Sequence, residues 1–303
     1  MSDPMFILEV AISGLLSGVL YALVALGFVL IYKASGVFNF AQGIMVLFAA
    51  LCFVRLQSLF GANGPSHIGF WAALVGAMAI MLLLAICVER LVLRPLVNQP
   101  PLTLFMATMG LAVVLEGIAS LVGGNLIYPL DIGIADDPIE IFGILVRKVD
   151  LFAAAAGTIL VAALTVFFQF SRVGRALRAV ADDHLAALSV GIPLRHIWIL
   201  IWSIAGAVAL FAGLIWGAKL GVQFSLSTIA LKSLPVLLIG GFTSIPGAIA
   251  GGLIVGATEK LTEVFLAPAL GGAIESWFAY VLALAFLLIR PQGLFGEKII
   301  ERV

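Results

Sequence analysis

The sequence predicts an all-α polytopic membrane protein of about 8–10 transmembrane helices, some of them broken, with one short cytoplasmic helix. Three observations predict it. Of 303 residues, 63% are hydrophobic and only 11% charged, against about 25% charged in soluble domains. Apolar runs of near-spanning length recur along the chain at a mean hydropathy of +1.23. The charges fall between those runs, above all in Ser171–His196, SRVGRALRAVADDHLAALSVGIPLRH. Formal net charge is zero, so overall charge selects no partner; a membrane-lipid environment is expected and no nucleic acid.

The runs are, in order, Phe6–Ile31, Gly36–Phe53, Ile68–Cys87, Leu102–Val122, Leu151–Phe168, Ile197–Leu220, Ser225–Leu266 and Ser276–Ile289. The opening MSDPMF has no basic region of the signal-peptide kind, so the first run is expected to remain as a span. Arg90 and Arg94, the arginine island, and Arg290 with Lys298 each follow a run. The positive-inside rule places all three in the cytoplasm, with a cytoplasmic C-terminus. The loop holding Asp131, Asp136, Asp137 and Glu140 reads as external. From island to C-terminus the crossings must be even. Ser225–Leu266, which contains Lys232, Pro235, Gly240-Gly241, Ser244 and Pro246, is therefore expected to be two passes broken near Gly240–Pro246. That gives about nine crossings, or ten if another run is broken.

A second interruption is GVFNFAQG, residues 36–43. Asn39 and Gln42 are three apart and share a helix face. They either hydrogen-bond between helices or line a polar path. Small-xxx-small pairs at Gly14/Gly18, Gly213/Gly217, Gly247/Gly251 and Gly252/Gly256 allow close helix approach. Cys52 and Cys87 lie in apolar runs and read as small buried hydrophobes; no metal-ligand spacing is visible.

Four arginines in the island cannot lie in hydrocarbon, where each costs about 2.5–3.5 kcal/mol. Gly174–Ala181 reads as helical, with Arg175 and Arg178 on it. Asp182 suits an N-cap and Asp183 a first turn. Leu185 and Leu188 form an apolar stripe, Gly191 suits the position after the helix, and Pro193 stops it. The result is a short amphipathic helix that must dock on its own spans, on headgroups or in a partner's groove. Among ionisable residues in or near runs, Glu9 and Glu89 are expected at the interface. Glu116, in LAVVLEGIAS, lies deeper, and its open roles are an interhelical hydrogen bond, a substrate-ammonium contact or a proton relay. Lys232 is either its counter-ion or the mark of an external turn.

Four blocks in order, GVFNFAQG, GRALRAVADDHLAALSVGIP, LIGGFTSIPGAIAGGLIVG and LLIRPQGLFGE, resemble the permease subunits of branched-chain amino-acid ABC importers of the LivH/LivM type. The resemblance covers essentially the whole chain, 1–303, as a single transmembrane permease domain. It implies a bacterial inner-membrane, multi-pass subunit that pairs with a second homologous permease as a homo- or heterodimer. It also implies two cytoplasmic ATPase subunits, a periplasmic substrate-binding protein and a small-molecule substrate. The segment of about 171–196 would be the coupling segment, with Asp182–Gly191 the helix docked into the ATPase and Arg175 and Arg178 flanking it. Asn39, Gln42, Glu116 and Ser244 are the candidate lining of the translocation path. No Walker A pattern occurs, so the chain is expected to be no enzyme and to need no cofactor, ATP being bound by partner subunits. Many relatives carry a histidine and then a glutamate in the first block, where this chain has Gln42 and Ile44. That departure leaves branched-chain or other amino acids, amides and urea open as cargo. The rival reading is a self-sufficient secondary transporter or channel using Glu116. A membrane enzyme is the weakest, because no His/Asp/Glu cluster at catalytic spacing lies within the runs.

Overall fold

The computed structural model describes residues 4–60, 67–96, 99–123, 126–134, 137–141, 144–182, 187, 189, 191 and 194–296. The chain divides into two compact units. One holds Met1–Val29, Gly133–Thr165 and Lys232–Val303; the other holds Leu30–Ile132 and Val166–Leu231. Helix α1 (Pro4–Ser35) runs through both.

The second unit is built around α2 (Gln42–Phe60), whose residues Gln42–Phe53 are all buried, as expected of a helix apolar on every side. Around it stand α3 (His67–Val88), α4 (Pro101–Gly123), α7 (Leu194–Leu220) and the short α8 (Ser225–Leu231). At Gly213 a β-carbon would stand 2.5 Å from the Val46 carbonyl oxygen, so only glycine lets α7 lie this close to α2. Helix α3 continues through a π-turn, Glu89–Leu93, and a 3₁₀ turn, Arg94–Leu96. Glu89, the first residue of the π-turn, is buried within the protein at 1% exposure.

The first unit contains the opening turns of α1, a hairpin, most of α5 (Lys148–Phe170), and α9 (Ser233–Gly240), α10 (Ile245–Leu270) and α11 (Phe278–Ile289). Two of the small-xxx-small pairs meet here. Gly14 and Gly18 of α1 lie against Gly256 and Gly252 of α10, where a β-carbon on Gly14 would sit 2.6 Å from the Gly256 carbonyl oxygen. Strands β1 (Pro138–Ile141) and β2 (Ile144–Arg147) pair antiparallel, Pro138 opposite Arg147. This hairpin, four residues a side, is a minor addition to the expected all-α architecture, made where β-branched residues cluster.

Six described helices are long and apolar enough to cross a membrane, or up to seven if the bent pair Ser225–Gly240 and Ile245–Ala269 is one span. Phe278–Ile289 is apolar but shorter, at 12 residues. The bend of 116° falls where the glycines and Pro246 place it. At this elbow a β-carbon on Gly240 would collide with the backbone of Gly247, and Gly241 adopts φ +102 against Gly296. Leu294 N–H donates to the Ile239 carbonyl (2.7 Å) and Phe295 N–H to Gly240 (3.2 Å). Residues 290–296 thus cover carbonyls that the end of α9 leaves without helical partners.

Candidate functional site

Gly36, with φ +66, ends α1, and residues 37–41 are non-helical before α2 begins. This break in the second unit is held by side chains. Asn39 and Gln42 are fully buried at 0% exposure. Asn39 Nδ2 donates to Gln42 Oε1 (3.3 Å), and Asn39 Oδ1 accepts from the Ala41 N–H (3.1 Å). Gln42 Nε2 donates to the Ala205 carbonyl on α7 (3.4 Å). Thr108 of α4, also fully buried, takes the Phe40 N–H (3.3 Å), and its hydroxyl lies 3.0 Å from the Phe38 carbonyl. Phe38, Phe40 and Phe105 meet edge to face, with centroids 5.4 and 5.3 Å apart. Of the two roles open to the amides, the geometry is that of hydrogen bonding between segments, in a break with no ionisable side chain.

The island begins with α6 (Arg172–Asp182). Ser171 Oγ accepts from the Gly174 N–H (2.9 Å), which makes Ser171 its N-cap. Arg178 donates to the carbonyls of Phe168 (2.7 Å) and Gln169 (3.3 Å), and Arg175 to that of Phe170 (3.2 Å). Both arginines therefore satisfy terminal carbonyls of α5, where the helix dipole favours cations. Leu177 and Val180 are buried, and α6 rests on α7. Asp182 is the last residue of α6, and the start of the next helix, which it was expected to cap, lies outside the described residues. Asp183, Leu185 and Leu188 lie outside the described residues; Gly191 has φ +83, the left-handed conformation that suits glycine at a turn.

In the first unit Ser244 caps α10, its Oγ accepting from the Gly247 N–H (3.0 Å). Sequence reasoning missed the charges below it. Lys232 donates to Glu259 (2.6 Å) and lies 3.5 Å from Glu275, which also pairs with Lys260 (2.7 Å). Tyr21 OH donates to Glu259 (3.4 Å). Lys232 is thus answered by Glu259, not Glu116, and a buried lysine's need for a counter-ion was the available signal. Burial opposes ionisation of Glu275, which lies between α10 and α11. The Lys260 ammonium, and then Lys232, outweigh that effect and hold its carboxyl below the usual 4.5.

Glu116 is exposed on α4, as is Val113 one turn before it. The structure therefore brings Asn39 and Gln42 together in an interior contact and turns Glu116 outward; Ser244 serves as a cap. Among the described residues no group of three or more His, Cys, Asp or Glu could hold a metal ion.

Apolar helices of spanning length, broken at polar and glycine-rich points and separated by a charged amphipathic helix, define a multi-pass membrane protein of the transport type. Residues 10–290 match the family model described as branched-chain amino acid transport system / permease component, and the chain belongs to that family. It is similar to the high-affinity branched-chain amino acid transport system permease protein LivH of Salmonella typhimurium, 27% identical over 99% of this chain and 98% of the relative. BraD of Pseudomonas aeruginosa, a protein of the same description, is 26% identical over 98% of each. The fructose import permease protein FruG of Bifidobacterium longum is 25% identical over 70% of this chain and 64% of its own length. A solved structure, PsaBC from Streptococcus pneumoniae in complex with Fab, aligns at TM-score 0.48 and 15% identity, covering 91% of this chain and 89% of that one.

Proposed function

We propose that this chain is the membrane-spanning subunit of an ATP-driven importer for branched-chain or related amino acids, placed in a bacterial inner membrane with a cytoplasmic C-terminus. The observation that carries the reading is the family match over residues 10–290. The subunit pairs with a second permease and receives substrate from a periplasmic binding protein. Two ATPases dock on the segment of about 171–196, and ATP is bound by them alone. Their closure moves the segment and rocks the bundle between inward and outward access. Arg175 and Arg178, tied to the end of α5, transmit that movement to a spanning helix. Glu116, facing outward from α4, is the carboxylate available to a path between paired subunits. A family whose description is that of a component of a system speaks against a carrier that works alone.

Reconstitution tests this. The chain in liposomes should be inert until ATPases and binding protein are added, and ion-driven uptake by the chain alone would overturn the reading. Asp182→Ala with Leu185→Glu should abolish co-purification of the ATPases with membrane insertion intact; unchanged co-purification would remove the docking assignment. Affinity measurements on the periplasmic partner, with leucine against fructose, decide the cargo.

A further inference from the structure

Two buried polar groups of the second unit have no partner among the described residues, and they lie on adjoining elements. Glu89, at the start of the π-turn that follows α3, is 1% exposed, and its Oε2 is unbonded. Trp198, in the second turn of α7, is 6% exposed, and its Nε1–H is unbonded. The cations on the same elements, Arg90, Arg94, Arg195 and His196, are exposed. The π-turn packs on α7, and the register of the helices puts the two orphans at one level. Gln42 against Ala205 and Val46 against Gly213 make α7 parallel to α2. Phe53 of α2 meets Phe70 of α3 at 5.2 Å, and Met81 of α3 lies against Gly206, beside Ala205. Helix α3 therefore runs antiparallel to both. From the Met81–Gly206 contact, eight residues onward along α3 is Glu89, and eight residues back along α7 is Trp198.

Buried polar groups without partners are rare in native interiors and each calls for a reason. Here the two match in kind: an indole N–H only donates, and a carboxylate only accepts. One hydrogen bond between them would lift the desolvation penalty from both. The π-turn is the element able to make it. Its bonds, such as Arg94 N–H to the Glu89 carbonyl, enclose one residue more than an α-turn, and turns of this kind recur at functional sites. Passing that extra residue along the chain by one position turns a side chain by about 100° and moves it about 1.5 Å along the axis. We propose that Glu89 and Trp198 are the two halves of a latch: a hydrogen bond, Trp198 Nε1–H to Glu89 Oε2, that the chain makes in a second conformation when the π-turn shifts. It ties the end of α3 to the start of α7. Helix α7 follows the segment of about 171–196 directly and carries α6, so the latch sits where movement of that segment enters the bundle; this last step rests on the transport reading above.

The test uses the full chain in lipid nanodiscs with ¹⁵N-labelled tryptophan indoles, read by NMR. The Trp198 resonance, identified by its loss in Trp198→Phe, should show two positions in wild type, one free and one hydrogen-bonded. Glu89→Leu should lower the bonded population about tenfold or more, the effect of one charge-assisted hydrogen bond. Glu89→Gln keeps an acceptor and should keep both positions, with the bonded one moved and the free one unmoved. If Glu89→Leu fails to fold, wild type and Glu89→Gln decide between them. A single Trp198 position in wild type would overturn the latch, as would a bonded position indifferent to the residue at 89. No ATPase is present, so a wild type that shows no ATP-driven uptake with its ATPases and binding protein would count against the transport reading and leave the latch standing. ATP-driven uptake at the wild-type rate in Glu89→Leu would overturn the latch's place in the transport cycle.

Discussion

The chain interrupts its membrane helices in two ways, and the two breaks are held by different chemistry. The break at residues 37–41 is fastened by side chains: two buried amides, the Thr108 hydroxyl and three phenylalanine rings. The elbow between Gly240 and Ile245 is fastened by backbone, with Gly240 against Gly247 and residues 293–296 against Ile239, Gly240 and Gly241. The amide contacts, at 3.1–3.4 Å, reach the long end of N–H···O bonds, so a different polar group can take their place with small adjustments. At Gly240 and Gly247 the elbow leaves no space for a side chain. One break is chemically tunable and the other is geometrically fixed. Gln42 falls on the tunable one.

The largest effect should come from Gly240→Leu. Overpacking costs about 1–3 kcal/mol where neighbours yield, and here the neighbour is the Gly247 backbone. Monodisperse protein should be lost on size-exclusion chromatography; if this variant survives better than Asn39→Leu, the contrast is wrong. Asn39→Leu leaves the Ala41 N–H without its acceptor and should cost about 1–3 kcal/mol, read as a lower midpoint in denaturant with the protein still folded. Ser244→Ala removes only a cap and should cost about 1 kcal/mol, largely restored by Ser244→Asp.

The smallest effect separates the units by pH. Glu275 is held below its usual 4.5. Its stabilisation is therefore complete above that value and is lost as pH falls through the lower folded-state pKa. Wild type should melt above Glu275→Gln at neutral pH, with the gap closing below about pH 4.5. Asn39→Leu should shift the midpoint equally at both pH values, because its break contains no titrating group.

Much of this was legible from residue order. Hydropathy located the spans, and Gly240-Gly241 with Pro246 located the elbow, because breaks in a helix are local chemistry. The glycine pairs were visible, but not that 14/18 would face 256/252, which is settled only by tertiary pairing. Glu259 escaped notice for the same reason: nothing 27 residues from Lys232 declares itself a partner.

The strap of residues 290–296 across the elbow also bears on how the chain is made. Ile239 leaves the ribosome about 55 residues before Leu294, its hydrogen-bond donor, an interval of several seconds at about 5–20 residues per second. During that interval the elbow's carbonyls are satisfied by water or by a helper, so this corner of the membrane bundle matures late, in the order of synthesis.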